Sequence, residues 1–168
     1  LTPWIIDRLT KPHISFKEYK PADLNLGKDL YRILILRVPN KRLKGLYKLF
    51  YKTATQWRVY VKFCDYDSKK EFRNIVARWN TTREPLTPDY KQVDVGLALT
   101  NPREVIASGE EGEISVAIKK EGDSDCYPFN NESYLHNLLN PKWKIKDDKF
   151  IVQIYLQSAE IETKVFEF

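Results

Sequence analysis

Methionine is missing from this chain, histidine and cysteine occur twice each, and glycine only six times. Each shortage removes a class of chemistry. His13 and His136 have no His, Cys or Asp neighbour at metal-ligand spacing, which excludes a zinc site of ordinary pattern and gives no reason to expect a metal or cofactor. A Cys–His dyad drawn from Cys64 or Cys126 has no supporting motif either. Gly109, Gly112 and Gly122 sit among acids that repel phosphate, so no glycine-rich phosphate loop exists, and Ser115 and Ser124 occupy no nucleophile elbow. No catalytic residue is assigned.

Two cysteines make no disulfide scaffold, and free thiols in a cytoplasmic or nuclear setting are the expectation. The longest apolar run, Ile33–Leu36, is far short of a membrane span. The N-terminus lacks signal-peptide architecture, so the glycosylation pattern at Asn131–Ser133 has no secretory context. Without an initiator methionine the sequence reads as a fragment or a processed product.

What is present is charge, unevenly placed, and aromatic surface. Residues 1–84 hold 19 Lys/Arg against 8 Asp/Glu, a net of +11; residues 85–168 hold 9 against 15, a net of −6. Eight Phe, ten Tyr and four Trp accompany these charges. With 42 % hydrophobic residues over 168 positions, one domain with a real core is expected.

Prolines at 3, 12 and 21 make residues 1–26 an arm or irregular cover. Residues 27–168 read as a single domain with a charge boundary near 80–88. Leu30–Val38 predicts a strand buried on both faces and ended by Pro39. Asn40–Lys52 predicts a helix capped by Asn40, with Leu43, Leu46, Tyr47 and Phe50 inward and Lys41, Lys44, Lys48 and Lys52 outward. Gln56–Cys64 alternates, with Trp57, Val59, Val61 and Phe63 on one face and Arg58, Tyr60 and Lys62 on the other. Ser68–Trp79 predicts a second helix, from a Ser68/Glu71 capping box and the spacing of Phe72, Ile75, Val76 and Trp79. Strands are predicted over 92–99, 113–119, 149–156 and 161–168, and a short helix over 133–139 capped by Asn130 or Asn131. The expected class is α+β: a mostly antiparallel sheet, two main helices in the N-terminal half and a β-rich C-terminal half.

The functional expectation follows from the basic half. Lys41, Arg42, Lys44, Lys48 and Lys52 on the helix would join Arg58, Tyr60 and Lys62 on the strand in a nucleic-acid-binding face. Cations there would meet phosphates, and Tyr60 would stack on a base. The opening resembles RNA-binding sheets only in element order, since the RNP signatures are absent. The same face would also suit an acidic protein surface or peripheral contact with lipid headgroups, and the opposed halves would suit head-to-tail homo-oligomers or a scaffold. A metal-dependent nuclease is the weakest alternative. Asp65, Asp67 and Glu71 cluster after a strand, but Asp94, Glu113 and Lys119 lack the Glu-x-Lys spacing.

Overall fold

β-Branched and aromatic residues at every second position turn most of this chain into strands. The computed structural model describes residues 14–26, 28–41, 54–87, 92–145, 149–158 and 164–167. In chain order the elements are β1 (Lys17–Leu26), β2 (Asp29–Pro39), β3 (Ala54–Asp65), β4 (Glu71–Val76), β5 (Arg78–Trp79), α1 (Val95–Ala98), β6 (Glu104–Ile106), β7 (Glu111–Lys120), β8 (Tyr127–Pro128), β9 (Phe150–Gln157) and β10 (Lys164–Glu167). Short 3-10 helices cover Asn131–His136 and Pro141–Trp143.

The strands form two five-stranded antiparallel sheets. One runs β1-β2-β7-β5, with β8 also on β7; the other runs β10-β9-β3-β4, with β6 also on β3. Val38, Leu36, Ile114, Val116 and Trp79 from the first sheet share one buried cluster with Trp57, Val59, Val61, Phe63, Ile75, Ile154 and Leu156 from the second. The sheets therefore pack face to face as a sandwich.

The expected α+β fold with two main helices is overturned: among the described residues no helix reaches seven residues. Ser68–Trp79 is a hairpin turn followed by β4 and β5. Asp65 accepts a hydrogen bond from the Ser68 amide at 2.6 Å, and Ser68 Oγ accepts from the Lys70 amide at 3.3 Å. The serine thus closes a turn instead of capping a helix. Lys69 takes the left-handed conformation that completes the reversal, at φ 58°. Beyond the turn the chain alternates, with Ile75, Ala77 and Trp79 all buried at a spacing of two and Phe72 turned out, 41 % exposed. Of the other proposed helix, residues 42–52 lie outside the described set. Asn40 is fully buried in a bridge with Ile14, and its side chain donates to Ile106 O at 3.0 Å.

The strand expected over 92–99 is also corrected. Asp94 accepts from the Leu97 amide at 3.1 Å and starts the short α1, leaving Val95 and Leu99 exposed. From Lys17 onward the expected irregular cover is strand β1, paired with β2. Asn130 does cap the turn at 131–136, in a reciprocal pair with Ser133.

β2 is buried on both faces, Leu36 and Val38 in the sandwich and Tyr31, Ile33 and Ile35 in a second cluster, and β7 changes phase beside it. Ile33 pairs Ile118, but three residues later Leu36 pairs Ile114, so β7 carries one residue more across this stretch. Ile114 thus faces the sandwich, while Ile118 joins Tyr31, Ile33 and Ile35 in a second cluster roofed by Phe129, Tyr134 and Leu138.

Gly112 of β7 is closely packed by Trp79 of its own sheet and Ile106 of the other. A Cβ there would lie 2.7 Å from Trp79 Cζ3 and 2.9 Å from Ile106 Cδ1. Gly112→Ala should therefore lower stability by about 1–3 kcal/mol through overpacking. Urea denaturation checks this, and Gly96→Ala at the exposed α1 is the control expected to cost less.

Candidate nucleic-acid interface

Strand β3 carries the site because it lies inside its sheet, with β9 on one side and β4 on the other. Trp57, Val59, Val61 and Phe63 point into the sandwich and are fully buried, which forces Arg58, Tyr60 and Lys62 onto the outer face, where they are half-buried. Cross-strand register extends this face. On β9, Gln157, Tyr155 and Gln153 lie opposite Arg58, Tyr60 and Lys62. On β4, Val76 and Asn74 lie opposite Tyr60 and Lys62. The centre is thus a Tyr60–Tyr155 pair flanked by cations and amides.

Polar contacts set the orientation of these groups. Lys62 Nζ sits 4.8 Å from the Tyr155 ring centroid and 3.1 Å from Glu71 Oε2. The hydrogen bond to Glu71 raises the Lys62 pKa, keeping the ammonium charged. The Tyr155 hydroxyl donates to Gln153 Oε1 at 3.0 Å. Arg58 makes no ion pair among the described residues, and its buried Nε lacks a hydrogen-bond partner there.

At the tip of the β3–β4 hairpin, Tyr66 is half exposed between two lysines. Lys69 Nζ stands 4.7 Å and Lys149 Nζ 6.0 Å from its ring centroid. Six residues of extended chain put Tyr66 about 20 Å from Tyr60. Tyrosines with cations beside them therefore occur at both ends of one hairpin.

Of the residues chosen from sequence, the structure gathers Arg58, Tyr60 and Lys62. Lys41 is exposed beyond the end of β2, and Arg42, Lys44, Lys48 and Lys52 lie outside the described residues. Sequence reasoning missed Tyr155, Tyr66, Lys69 and Lys149. Tyr155 had a legible signal: Gln153, Tyr155 and Gln157 alternate with the buried Val152, Ile154 and Leu156. Tyr66 and Lys69 were hidden by the incorrect helix beginning at Ser68.

The charge split is partly consumed within the chain. Arg37 meets Glu113 at 3.1 Å and Lys120 meets Asp29 at 2.8 Å, while Lys17 pairs with Glu111. Arg37 and Lys17 are cations of the basic half set on acids of β7, whereas Lys120 and Asp29 pair in the opposite sense and leave the split untouched. Fewer charges remain for head-to-tail pairing between copies.

The acids proposed for metal chemistry have structural duties. Asp65 closes the hairpin, Glu71 holds Lys62, Asp94 caps α1, and Glu113 accepts from Arg37 and Asn80. Among the described residues no three His, Cys, Asp or Glu side chains gather as a metal site. Cys64 and Cys126 are unpaired thiols, both with pKa values raised by burial. His136 stands edge-on to Trp143 at 5.4 Å, and His13 lies outside the described residues. No helix among the described residues is long and apolar enough to cross a membrane.

Comparison of the chain with protein-family models, curated proteins and solved structures returned no match.

Hydrogen bonds from the Ser68 hydroxyl and amide hold the Asp65 carboxyl below the usual carboxylate range. A depressed folded-state pKa contributes stability above the unfolded pKa, lost as pH falls through the folded value. Asp65→Asn should therefore lower the urea midpoint at neutral pH, and the gap to the parent should close at acid pH below the usual carboxylate range. Urea titrations of both proteins across that range check the sign.

Proposed function

We propose that this chain is a non-enzymatic binding protein that holds single-stranded nucleic acid across the outer face of β9, β3 and β4. The observation that carries this reading is the cross-strand Tyr60–Tyr155 pair set between Arg58 and Lys62 on one sheet face. Stacking on tyrosine tolerates any base, because every base has a π-face. Arg58 and Lys62 would track the phosphates beside the stacked bases, and Lys69 and Lys149 would take up the backbone at the hairpin tip. Lys62 shares its charge with Glu71, so Arg58 and the tip lysines supply most of the free attraction. The four helix-region cations chosen from sequence, Arg42, Lys44, Lys48 and Lys52, would add to it. Cytoplasm or nucleus would be the setting for such a ligand.

An acidic protein or lipid headgroup surface would use the same cations but has no need of paired tyrosines. That difference makes the test. Fluorescence anisotropy with labelled single-stranded RNA, single-stranded DNA and duplex DNA across a salt series should show salt-sensitive binding that favours single strands. Tyr60→Ala/Tyr155→Ala should weaken it at least about thirtyfold, from about 1–3 kcal/mol for each of two stacked bases. Arg58→Glu/Lys149→Glu should flatten the salt slope, by about 0.7 for each phosphate of a single strand that is no longer neutralised. Absence of binding at low salt, or binding indifferent to the tyrosines, would overturn the proposal.

A further inference from the structure

A second surface lies at the edge of the same sheet and stands independently of the nucleic-acid reading. β4 is an outer strand, paired on one side with β3 and with no strand on its other side among the described residues. The Ala77 amide donates to Val59 O at 2.8 Å, which makes 59/77 a hydrogen-bonded pair. Antiparallel ladders alternate, so Val61/Ile75 and Phe63/Arg73 are also bonded pairs. The N–H and C=O groups of Asn74 and Val76 consequently point away from β3, to the side where no strand lies among the described residues.

That side has a second wall. A cleft of about 250 Å³ runs between Arg73–Val76 and the segment Ala98–Pro102, with Asn130–Glu132 and Trp143 closing it. The facing segment does not pair with the edge, because the Leu99 and Thr100 amides donate back to Val95 O and Leu97 O. An extended residue occupies roughly 160 Å³, from a 3.3 Å rise, a 4.8 Å strand spacing and a 10 Å sheet spacing. The cleft thus admits about two residues of one added strand, matching the two outward-facing backbone positions.

Charge narrows the occupant. Arg73 stacks over Trp143 at 5.0 Å and makes one long bond to Lys142 O, and no acid pairs with it among the described residues. Glu132, also lining the cleft, has no basic partner there either. Natural open edges are usually blunted, and an edge with free amides beside an unfilled polar cleft is a template for strand addition. We propose that the β4 edge binds an extended peptide segment of a partner protein, paired through the main chains of Asn74 and Val76. Its side chains would carry an acid for Arg73 and a base for Glu132.

The test uses the full chain. Amide exchange followed by NMR should show Asn74 and Val76 exchanging freely while Ile75 is protected; slow exchange at Asn74 and Val76 overturns the proposal. A displayed random heptapeptide library panned on the chain should then yield mixed-charge clones. Their synthetic peptides should slow Asn74 and Val76 exchange at least tenfold. Val76→Pro removes an outward donor without touching the β3 ladder, so it should weaken those peptides at least tenfold while leaving the urea midpoint close to the parent's. Asn74→Pro is the second variant should Val76→Pro fail to fold. Clones indifferent to both prolines, an empty selection, or protection of these amides by oligonucleotide instead of peptide would each overturn the assignment.

Discussion

The indole of Trp79 touches both sheets, and the chain's path between them depends on it. At Ala77 the backbone is still bonded to β3; two residues later Trp79 pairs with Ile114 of β7 in the opposite sheet. The fully buried ring lies against Gly112 and donates its N–H to Trp57 O at 3.3 Å. Burying a side chain of this size contributes about 4–6 kcal/mol, matched in this core only by the equally buried Trp57. The crossover puts one strand's hydrophobic residues into the sandwich from both sides, and a smaller side chain at 79 would leave a gap at the junction.

Because residues alternate, the neighbour of Trp79 points the other way. Arg78 leaves the sandwich and is buried beneath the 79–83 segment, where it donates to Thr82 O, to Arg83 O and to Asn131 Oδ1 at 2.9 Å. No carboxylate is hydrogen-bonded to it among the described residues, so these oxygens must meet the needs of a charge that burial would otherwise make costly. Tyr134 lies 6.0 Å below the guanidinium, and burial raises its hydroxyl pKa well beyond the usual tyrosine value. Asn131 also donates to Leu97 O at 3.3 Å, so the same amide ties α1 to the crossover.

The strands with a buried face were legible because burial imposes a period of two. Gln56–Cys64 and Lys149–Leu156 alternate for that reason, and Leu30–Val38 read as buried on both faces; Glu113–Lys119 read as alternating too, but the extra residue in β7 turns Ile118 to the other face. Ser68–Trp79 misled because Phe72, Ile75, Val76 and Trp79 satisfy a helical period by coincidence, while Ile75, Ala77 and Trp79 satisfy the strand period. Local pattern could not choose between them. Asp65 chose, by closing a turn that delivered residues 71–76 to the unpaired side of β3. The same limit applied to the candidate site. Arg58, Tyr60 and Lys62 were readable from one strand, whereas Tyr155 joined them through a register linking residues 95 positions apart.

The cleft beside β4 arises from these same constraints. Its first wall is the strand leading into the crossover, held by the β3 ladder and by Trp79. Its second wall, Ala98–Pro102, begins at the last residue of α1, which Asp94 caps and Asn131 ties to Arg78. Both walls are therefore fixed from residues 77–79, one through the backbone and one through a buried guanidinium. Arg78 and Asn131 thus anchor the approach to the second wall as the β3 ladder anchors the first. The β4 edge, without a pairing strand on its outer side among the described residues, is therefore positioned by the same buried groups that join the two sheets.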